Sequence, residues 1–354
     1  MDEIEREFLM ELLETPSPSG YETRGQRTWV EYVEQFADEV RTDAYGNAVA
    51  VAEGSPDAPA VAFTGHADEI GFSVNRIDDD GFLHLAPIGG SDRTVSKGQH
   101  VTVHTGDGPV SGVVAQTAIH LRDRDGDEFE DITQQTVDIG AADGDAARET
   151  VEVGDPITFS SGVEELMESR IAGRALDNRV GTWAAAEALR RAVEADVDAT
   201  VYAVSTVQEE LGTQGAKMVA TEVDADAVVV VDVSHVSDYP GGKADRAGDT
   251  ALGSGPIVGR GGANHPVVAQ AVRKAAADAD IDVQLQADPN AGGTDARSFY
   301  TARGGVPTLN LGVPNRYMHT PVEVIDTDDL DAVADLLAAF ADQSTEYETF
   351  AVDV

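Results

Sequence analysis

No cysteine occurs in this chain, which excludes disulfide bonds and thiolate metal ligands. Positive charge is scarce as well: 24 lysines and arginines face 65 aspartates and glutamates over 354 residues, and the formal net charge is -41. Such a surface repels nucleic acid and anionic membranes, because neither can release counterions to it. We therefore expect neither a nucleic-acid partner nor a membrane partner.

Lysine is especially rare and occurs only at positions 97, 217, 243 and 274. The acidic residues are spread over every segment between regular apolar stripes, which favours a folded protein over a disordered acidic chain. At molar salt the Debye length is about 3 Å, so the repulsion between these charges largely disappears. The composition indicates a halophilic protein; an ordinary acidic cytosolic protein is the alternative.

Long hydrophobic runs are missing too, and no uninterrupted apolar stretch approaches the length of a membrane span. The first residues, Met1 to Glu5, are acidic and lack the apolar segment of a signal peptide, so we expect a cytoplasmic protein. The 42% hydrophobic content is that of a globular protein, and the length allows two cores.

Most of the chain alternates between helical and strand patterns. Apolar positions with helical spacing fall at 4–13, 23–36, 183–193, 268–276 and 330–340. Short apolar runs that predict strands fall at 47–52, 60–64, 200–207 and 227–231. Three of these runs lead into histidine or acidic residues, and open α/β sheets bind ligands at the carboxyl ends of their strands. The pattern predicts an α/β domain with a site at that edge.

The middle of the chain follows another pattern. Alternating strands such as 82–85 and 101–104 are separated by Gly and Asp turns and show little helical period. An all-β stretch within an α/β frame predicts a second domain. We therefore divide the chain into a discontinuous catalytic domain, 1–71 and 163–354, and an inserted β-rich domain, 72–162, whose charged loop at 123–128 we expect to be mobile.

Five short pieces contain residue types that bind hard or borderline divalent cations. They are His66-Ala67-Asp68, Asp177-Asn178-Arg179, Glu209-Glu210, Asp232 and His319. Two metal ions about 3.5–4 Å apart need two terminal ligands each and one bridging carboxylate. Successive side chains of a strand point to opposite sides, so two adjacent glutamates cannot do the same job. The set can hold two ions and leave one carboxylate free to move protons.

Each piece alone has an ordinary structural explanation. His66 and Asp68 could be a surface pair, Asp177 a helix N-cap, and Glu209 with its neighbour a solvated charge pair. Asp232 follows four valines, and a carboxylate after a buried strand needs a metal ion or a hydrogen-bond donor as its partner. The metal interpretation gains its strength from the occurrence of all the pieces together.

The chain resembles the M42 family of aminopeptidases, the tetrahedral or TET aminopeptidases, in a haloarchaeal type. The stretches that carry this resemblance are Gly65–Gly71, Ala175–Gly181, Val207–Gly212, Val231-Asp232, Gly292–Ala296 and Pro314–Pro321. They follow the order and spacing of the family over nearly the full length. Tyr317-Met318-His319-Thr320 is the most family-specific short piece among them.

The resemblance implies a fold, a chemistry and a set of metal ligands. The fold is a mixed-sheet, co-catalytic zinc peptidase domain with helices on both faces, plus an inserted all-β, barrel-like or PDZ-like, dimerisation domain. Two divalent ions are implied in each subunit, and zinc or cobalt suits a mixed histidine and carboxylate set. The implied ligands are His66, Asp177, Glu210, Asp232 and His319, with Asp177 as the bridge.

Other residues take implied roles around these ligands. Glu209 would be the general base, and Asp68 would orient the imidazole of His66. Gly292, Gly293, Thr294 and Asp295 would line the substrate pocket. The reaction implied is removal of the N-terminal residue from short peptides, by a homo-oligomer of dimers that form a tetrahedral dodecamer.

Three alternatives remain open on the sequence. A related di-metal deacylase or carboxypeptidase would differ mainly in the substrate pocket. Some relatives have been labelled endoglucanases, but ordinary glycosidases use a carboxylate pair and no metal. A metal-stabilised assembly protein without turnover would leave the spare carboxylate unexplained.

Overall fold

The computed structural model describes residues 1–122, 129–290 and 292–354, so the loop at 123–128, predicted to be mobile, lies outside the described residues. The α-helices are α1 (Glu3–Glu14), α2 (Thr23–Val33), α3 (Gly144–Arg148), α4 (Leu176–Glu194), α5 (Gln214–Val219), α6 (Ala244–Ala247), α7 (Pro266–Asp278), α8 (Ala296–Thr301) and α9 (Thr327–Ser344). The strands are β1 (Glu39–Thr42), β2 (Ala48–Ala52), β3 (Ala60–His66), β4 (Gly71–Ile77), β5 (Leu83–Ile88), β6 (His100–Thr105), β7 (Gly108–Val114), β8 (Thr136–Asp138), β9 (Pro156–Phe159), β10 (Glu164–Glu165), β11 (Arg170–Gly173), β12 (Thr200–Thr206), β13 (Ala227–His235), β14 (Ile257–Arg260), β15 (Gln284–Ala287), β16 (Thr308–Asn315) and β17 (Glu323–Asp326).

The main sheet has the strand order β1-β2-β12-β3-β13-β16-β14-β15. Its centre is parallel, since β12, β3, β13 and β16 pair in one direction, whereas β2 pairs antiparallel with β12 and β14 with β16. Parallel strands are buried on both faces, which explains the continuous valine run at 228–231. The expected mixed sheet is confirmed.

Helices cover both faces of this sheet. On one face, a large core joins the sheet to residues of α1, α2, α4, α7 and α9. On the other, a smaller core joins it to α5 and α8. Helix α4 lies against the centre, and its run of small residues, Ala184 to Ala186, is fully buried. The close contact of α4 with the sheet places the start of that helix at the carboxyl edge of the parallel strands.

Local sequence explains how the first helix begins and which side it buries. The Asp2 side chain accepts the backbone N–H of Glu5 at 2.9 Å, and the Glu5 side chain returns the bond to Asp2, a reciprocal capping box. Phe8 and Leu9 then pack into the core, as the helical spacing predicts. Ile4, which the spacing also placed on the buried face, is 64% exposed because it lies in the first turn, beyond the core contact.

The middle of the chain forms a closed barrel with the order β4-β5-β8-β7-β6-β9. The inward positions of its strands make a separate core of residues such as Phe72, Leu85, Val103 and Ile157. Closure removes the free strand edges that would otherwise pair with other chains. The expected all-β barrel is confirmed, and its strands run from Gly71 to Phe159. The domain boundaries at 72 and 162 stay a prediction.

A small antiparallel sheet, β10-β11-β17, completes the described structure. Glu323, the first residue of β17, pairs with Gly173 at the end of β11. This register sets β17 beside the segment that enters α4. Among the described residues, no helix has the length and apolarity needed to cross a membrane.

Candidate metal centre

The parallel strands bring the predicted site residues to one edge of the main sheet. His66 is the last residue of β3 and lies in register with Thr206, the last residue of β12. Glu209 and Glu210 lie in the turn that follows β12, after Val207 and Gln208, and His319 lies in the segment between β16 and β17. These residues converge because the carboxyl ends of neighbouring parallel strands share an edge.

Two predicted ligands, Asp232 and Asp177, occupy different positions in their secondary-structure elements from those that the sequence suggests. Asp232 lies within β13 and not at its end, because β13 continues to pair with β16 as far as His235. Asp177 is not an N-cap, since the helix begins after Ala175 and Asp177 keeps a non-helical backbone, with φ -78° and ψ 104°. The peptide bond from Asp177 to Asn178 is cis. Both carboxylates still reach the cluster.

Three of the predicted ligands form one potential metal position. The Nε2 atom of His66 lies 3.2 Å from Oδ1 of Asp177 and 3.9 Å from Oδ1 of Asp232. One donor atom from each of these three residues lies within 4.8 Å of the other two. An imidazole and two carboxylates at this spacing are a suitable donor set for a borderline divalent cation.

A second potential position shares Asp177 with the first. The Nε2 atom of His319 lies 3.2 Å from Oδ2 of Asp177 and 3.3 Å from Oε1 of Glu210. The two oxygens of Asp177 therefore face different imidazoles, Oδ1 towards His66 and Oδ2 towards His319. This divided orientation is the geometry that a bridging carboxylate requires, and the residues present fit a pair of divalent ions.

The electrostatics of the cluster favour a cation. Burial raises the pKa of Asp232 well above its ordinary value, and the nearby Asp177 raises it further. Burial alone would also raise the pKa of Asp177, but hydrogen bonds from His319 and His66 lower it. Hydrogen bonds to Asp177 and Glu210 raise the pKa of His319 to about 11. Buried carboxylates this close together are unfavourable unless a positive charge compensates them.

Glu209 has a free oxygen, although it also lies close enough to His66 and Glu210 for one donor atom of each to hold a metal ion. Its Oε1 atom is buried and has no hydrogen-bond partner among the described residues, while Oε2 lies 4.0 Å from Nε2 of His66. Burial raises the pKa of Glu209 to about 9; nearby His66 opposes the rise and Asp232 adds to it. Without a nearby cation Glu209 therefore holds its proton at neutral pH. The charge of bound metal ions would lower its pKa, and the ionised carboxylate, with one unused oxygen, could then accept a proton from a bound water.

Asp68 connects the end of β3 to the turn that carries the two glutamates. Its Oδ1 atom lies 3.3 Å from Nδ1 of His66 and accepts the backbone N–H of Glu209 at 2.9 Å. Its Oδ2 atom accepts the N–H of Glu210 at 3.1 Å and the hydroxyl of Ser19 at 2.6 Å. One carboxylate thus orients an imidazole and holds the two glutamates in the turn that follows β12.

A cavity of about 350 Å³ opens beside the cluster. Gly293 and Thr294, both predicted to line the substrate pocket, are among its lining residues, together with Gln286 and Met318. Asp295 is buried behind the cavity wall, where its Oδ2 atom accepts the hydroxyl of Thr206 at 2.5 Å. Gly292 neighbours this wall and is not among the described lining residues.

Sequence reasoning missed three residues that support this site. Ser19 and Glu22 come from the segment before α2; Ser19 bonds Asp68, and Glu22 accepts the backbone N–H of Gln208 at 3.1 Å. Glu323 accepts N–H groups from two predicted ligands, Asp177 and His319. The one available signal was for Glu323, an acid embedded in the apolar pattern of 322–325.

Known proteins that are similar to this chain are aminopeptidases. The family described as M42 glutamyl aminopeptidase matches residues 46–336. Lysyl aminopeptidase of Pyrococcus furiosus is 34% identical over 344 residues, covering 96% of this chain and 97% of that protein. A TET aminopeptidase from the marine sediment archaeon Thaumarchaeota archaeon SCGC AB-539-E09 superposes with a TM-score of 0.91 at 32% identity, covering 98% of this chain and 99% of that one.

A further similar solved structure is that of a peptidase that assembles into large particles. The TET1 peptidase of Pyrococcus horikoshii, described as able to assemble into a tetrahedron or a large octahedral shell, superposes with a TM-score of 0.85. It is 30% identical to this chain, and the alignment covers 95% of this chain and 99% of that one. The likeness therefore extends over both the α/β domain and the inserted barrel.

Fold and site together define a metallopeptidase: a mixed sheet that gathers imidazoles and carboxylates at its carboxyl edge, with a barrel inserted after the first ligand strand. The match over most of its length then shows that the chain belongs to the M42 peptidase family. It is an aminopeptidase, a hydrolase of peptide bonds. The predicted family and enzyme class are confirmed.

Proposed function

We propose that this aminopeptidase works with two divalent ions and releases the N-terminal residue of short peptides. The observation that carries the proposal is the orientation of Asp177, each of whose oxygens lies 3.2 Å from the Nε2 atom of a different histidine. Asp177 is then the bridge. His66 and Asp232 complete one metal position, and Glu210 and His319 complete the other.

The chemistry needs an activated water and a group that moves its proton. When bound, the two ions supply Lewis acidity, which lowers the pKa of a water and polarises the scissile carbonyl. Glu209 accepts the proton of that water and passes it to the leaving amine. Its unpartnered Oε1 atom supports this role, because no described hydrogen bond has to break before it takes a proton.

Asp68 prepares both the metal ligand and the base. Its contact with Nδ1 of His66 leaves Nε2, the atom that faces Asp177, free to bind a metal. Its bond to the N–H of Glu209 holds the base beside that imidazole. The mixed imidazole and carboxylate donors favour zinc or cobalt over magnesium.

The cavity beside the cluster supports small substrates. A volume of about 350 Å³ accommodates one side chain and the adjoining peptide group, with Gly293 and Thr294 in its wall. We propose that Gly292 and Asp295 support that wall from behind. The matching family is described by a glutamyl substrate and one similar protein is named for a lysyl substrate. These side chains differ in charge, so family membership does not define the preferred N-terminal side chain.

We further propose a homo-oligomer in which the inserted barrel, 72–162, forms dimers and six dimers form a tetrahedral dodecamer. The solved TET1 relative, described as assembling into a tetrahedron or an octahedral shell, supports this proposal. The apolar side chains of Ile119 and Leu121, which share one short 3-10 helix of the barrel domain, are also exposed, and exposed apolar side chains support an interface there. Phe129 of the same domain is exposed as well.

One experiment separates this function from its alternatives. The purified protein is treated with chelator and then reloaded with zinc, cobalt or manganese in high salt. Its activity is assayed on aminoacyl chromogenic amides, N-acetylated peptides, C-terminally blocked peptides and a β-glucan. We expect metal-dependent release from free N-termini alone. Cleavage of N-blocked peptides would indicate a deacylase or carboxypeptidase. Hydrolysis of the glucan that resists chelator would indicate a glycosidase, and the absence of any turnover would indicate an assembly protein.

A further inference from the structure

Glu323 is a buried carboxylate outside the predicted ligand set. It lies in β17 with 2% of its surface exposed. Its described hydrogen-bond partners are all N–H groups, and none belongs to a lysine or an arginine. An acid in the protein interior without a cationic partner is costly, so its retention calls for a specific role.

The contacts of Glu323 reach two predicted metal ligands at once. Oε2 accepts the backbone N–H of Asp177 at 2.8 Å and the side-chain N–H of Asn315 at 3.3 Å. Oε1 accepts the backbone N–H of His319 at 3.3 Å. Asp177 belongs to the entry of α4, whereas His319 belongs to the segment after β16, so one carboxylate ties two separate elements together.

The entry of α4 and the segment after β16 both have unusual backbone conformations that hydrogen bonds to Glu323 would stabilise. His319 has a φ of 63° and its near neighbour Tyr317 a φ of 64°, in the left-handed region that non-glycine residues rarely adopt. Asp177 keeps a non-helical backbone within α4. The carboxylate of Glu323 accepts a hydrogen bond from the backbone of both ligands and so fixes their relative position.

We infer that Glu323 is a positioning residue for the metal position formed by Asp177, Glu210 and His319. This inference rests on the proposed di-metal function. By fixing the backbones of Asp177 and His319, Glu323 sets Oδ2 of the first 3.2 Å from Nε2 of the second. The described hydrogen bonds of Glu323 reach Asp177, which both positions share, and His319, which belongs to one of them. Loss of Glu323 should therefore weaken the position formed by Asp177, Glu210 and His319 more than the other.

A glutamine cannot replace Glu323 in this role, although it has the same shape. Burial and the nearby Asp177 raise the pKa of Glu323, whereas the N–H groups of Asp177 and Asn315 lower it. N–H donors face both of its oxygens, an arrangement that fits the ionised carboxylate, which accepts on both oxygens. An amide has only one accepting oxygen and one NH₂ donor. In Glu323→Gln the NH₂ group would face the N–H of either Asp177 or His319. The backbone N–H of that ligand would lose its hydrogen-bond acceptor and face another donor.

The test measures metal binding directly, without turnover. Metal-free wild type and Glu323→Gln are titrated with cobalt, and the visible absorption of bound cobalt and equilibrium dialysis give the affinity of each position. We expect Glu323→Gln to weaken the binding of one of the two ions by roughly 10- to 100-fold, as is usual for residues that orient ligands. Binding of the other ion should weaken less, because the two positions share only Asp177. Excess cobalt should then restore kcat with little change in KM.

Asp329→Asn is the matched control. Asp329 is also a buried carboxylate, with 3% exposure, and its two oxygens each accept a backbone N–H at 2.7 Å, from Gly253 and Gly255, away from the predicted ligands. We expect it to bind both ions like the wild type. Three results would overturn the inference. They are unchanged affinity of Glu323→Gln for both ions, an equal loss of affinity for both ions, and the same loss of affinity in Asp329→Asn.

A second variant covers a failure of Glu323→Gln to fold. Asn315→Ala removes the side-chain donor to Oε2 of Glu323 and should weaken the same metal position to a smaller extent. If it binds both ions like the wild type, the inference is again wrong. A wild type that binds no cobalt would refute the proposed function itself, whereas a wild type with two ions and an unaffected Glu323→Gln would refute only the role of Glu323.

Discussion

The sharpest test of the proposed mechanism is the replacement of Glu209 by glutamine. The change keeps the size of the side chain and removes its ability to take a proton. Oε1 has no described hydrogen-bond partner, and Oε2 approaches His66 only to 4.0 Å, so the substitution breaks no close contact. The backbone N–H of residue 209 still donates to Asp68. We therefore expect the fold and both metal positions to survive.

The loss of activity should be large. Removing a general base typically lowers the rate by roughly 10²–10⁴-fold. Each factor of ten corresponds to about 1.4 kcal/mol, so the transition state would lose about 3–5 kcal/mol of stabilisation. The assay compares kcat and KM of wild type and Glu209→Gln on a chromogenic aminoacyl amide in molar salt, with metal content measured on the same samples.

Glu210→Gln is the natural control, because Glu210 is a proposed ligand and Glu209 is not. We expect Glu210→Gln to lose the metal ion that it shares with His319, and Glu209→Gln to keep both ions and lose kcat. Wild-type kcat in Glu209→Gln would show that another group moves the proton. Loss of an ion from Glu209→Gln would show that Glu209 is a ligand.

The metal-free protein offers a second measurement on the same variant. Burial raises the pKa of Glu209 from 4.5 to about 9 in the folded state. The folded state therefore holds this proton more tightly than the unfolded state, and Glu209 lowers the stability of the metal-free protein as pH rises from about 4.5 to about 9. Metal-free Glu209→Gln should have a higher Tm than metal-free wild type at pH 8 and a similar Tm near pH 4.5. An equal Tm at both pH values would contradict the burial of an unpartnered carboxylate.

Two further predictions concern the bridge and the charge. Asp177→Asn should loosen both metal positions together, and elemental analysis that finds one ion fully retained would reassign Asp177 to a terminal role. The net charge of -41 should make the Tm and the dodecamer depend on salt, since self-repulsion is screened only at high ionic strength. A Tm that does not rise between dilute and molar salt would refute the interpretation of the chain as halophilic. Light scattering that gives one subunit or one dimer in molar salt, with full activity, would refute the proposed dodecamer.

The parts of the site that local sequence predicts are those delivered by strands. His66 and Asp232 follow apolar runs that become β3 and β13, and both lie at the carboxyl edge where the α/β pattern predicts a site. The barrel was predictable for a related reason, since its alternating positions have no helical period. In both cases the pattern within one segment carries the information.

The supporting residues could not be predicted in this way. Ser19 lies 49 positions from its partner Asp68, and Glu22 lies 186 positions from its partner Gln208. Nothing in the sequence around Ser19 or Glu22 has a metal-binding pattern. Asp295 lies behind the cavity wall and not in it, a distinction that depends on how α8 packs against β13 and β16 and on the bond from Thr206. Such roles follow from long-range packing, which local periodicity does not contain.

Acidic residues are abundant throughout this chain, so the presence of one is a weak indicator of a functional site. Glu164 and Glu165 are an adjacent pair like Glu209 and Glu210, yet both are exposed and the structure gives them no site. Burial separates the two pairs: the first lies on an edge hairpin, whereas Glu209 follows a strand with sheet on both sides and is buried beside His66. A strongly acidic chain tolerates solvated carboxylates anywhere on its surface, but it can bury several together only where a cation compensates them. In this chain, a carboxylate at the end of a buried parallel strand is therefore a far better indicator of function than the acidic residue alone.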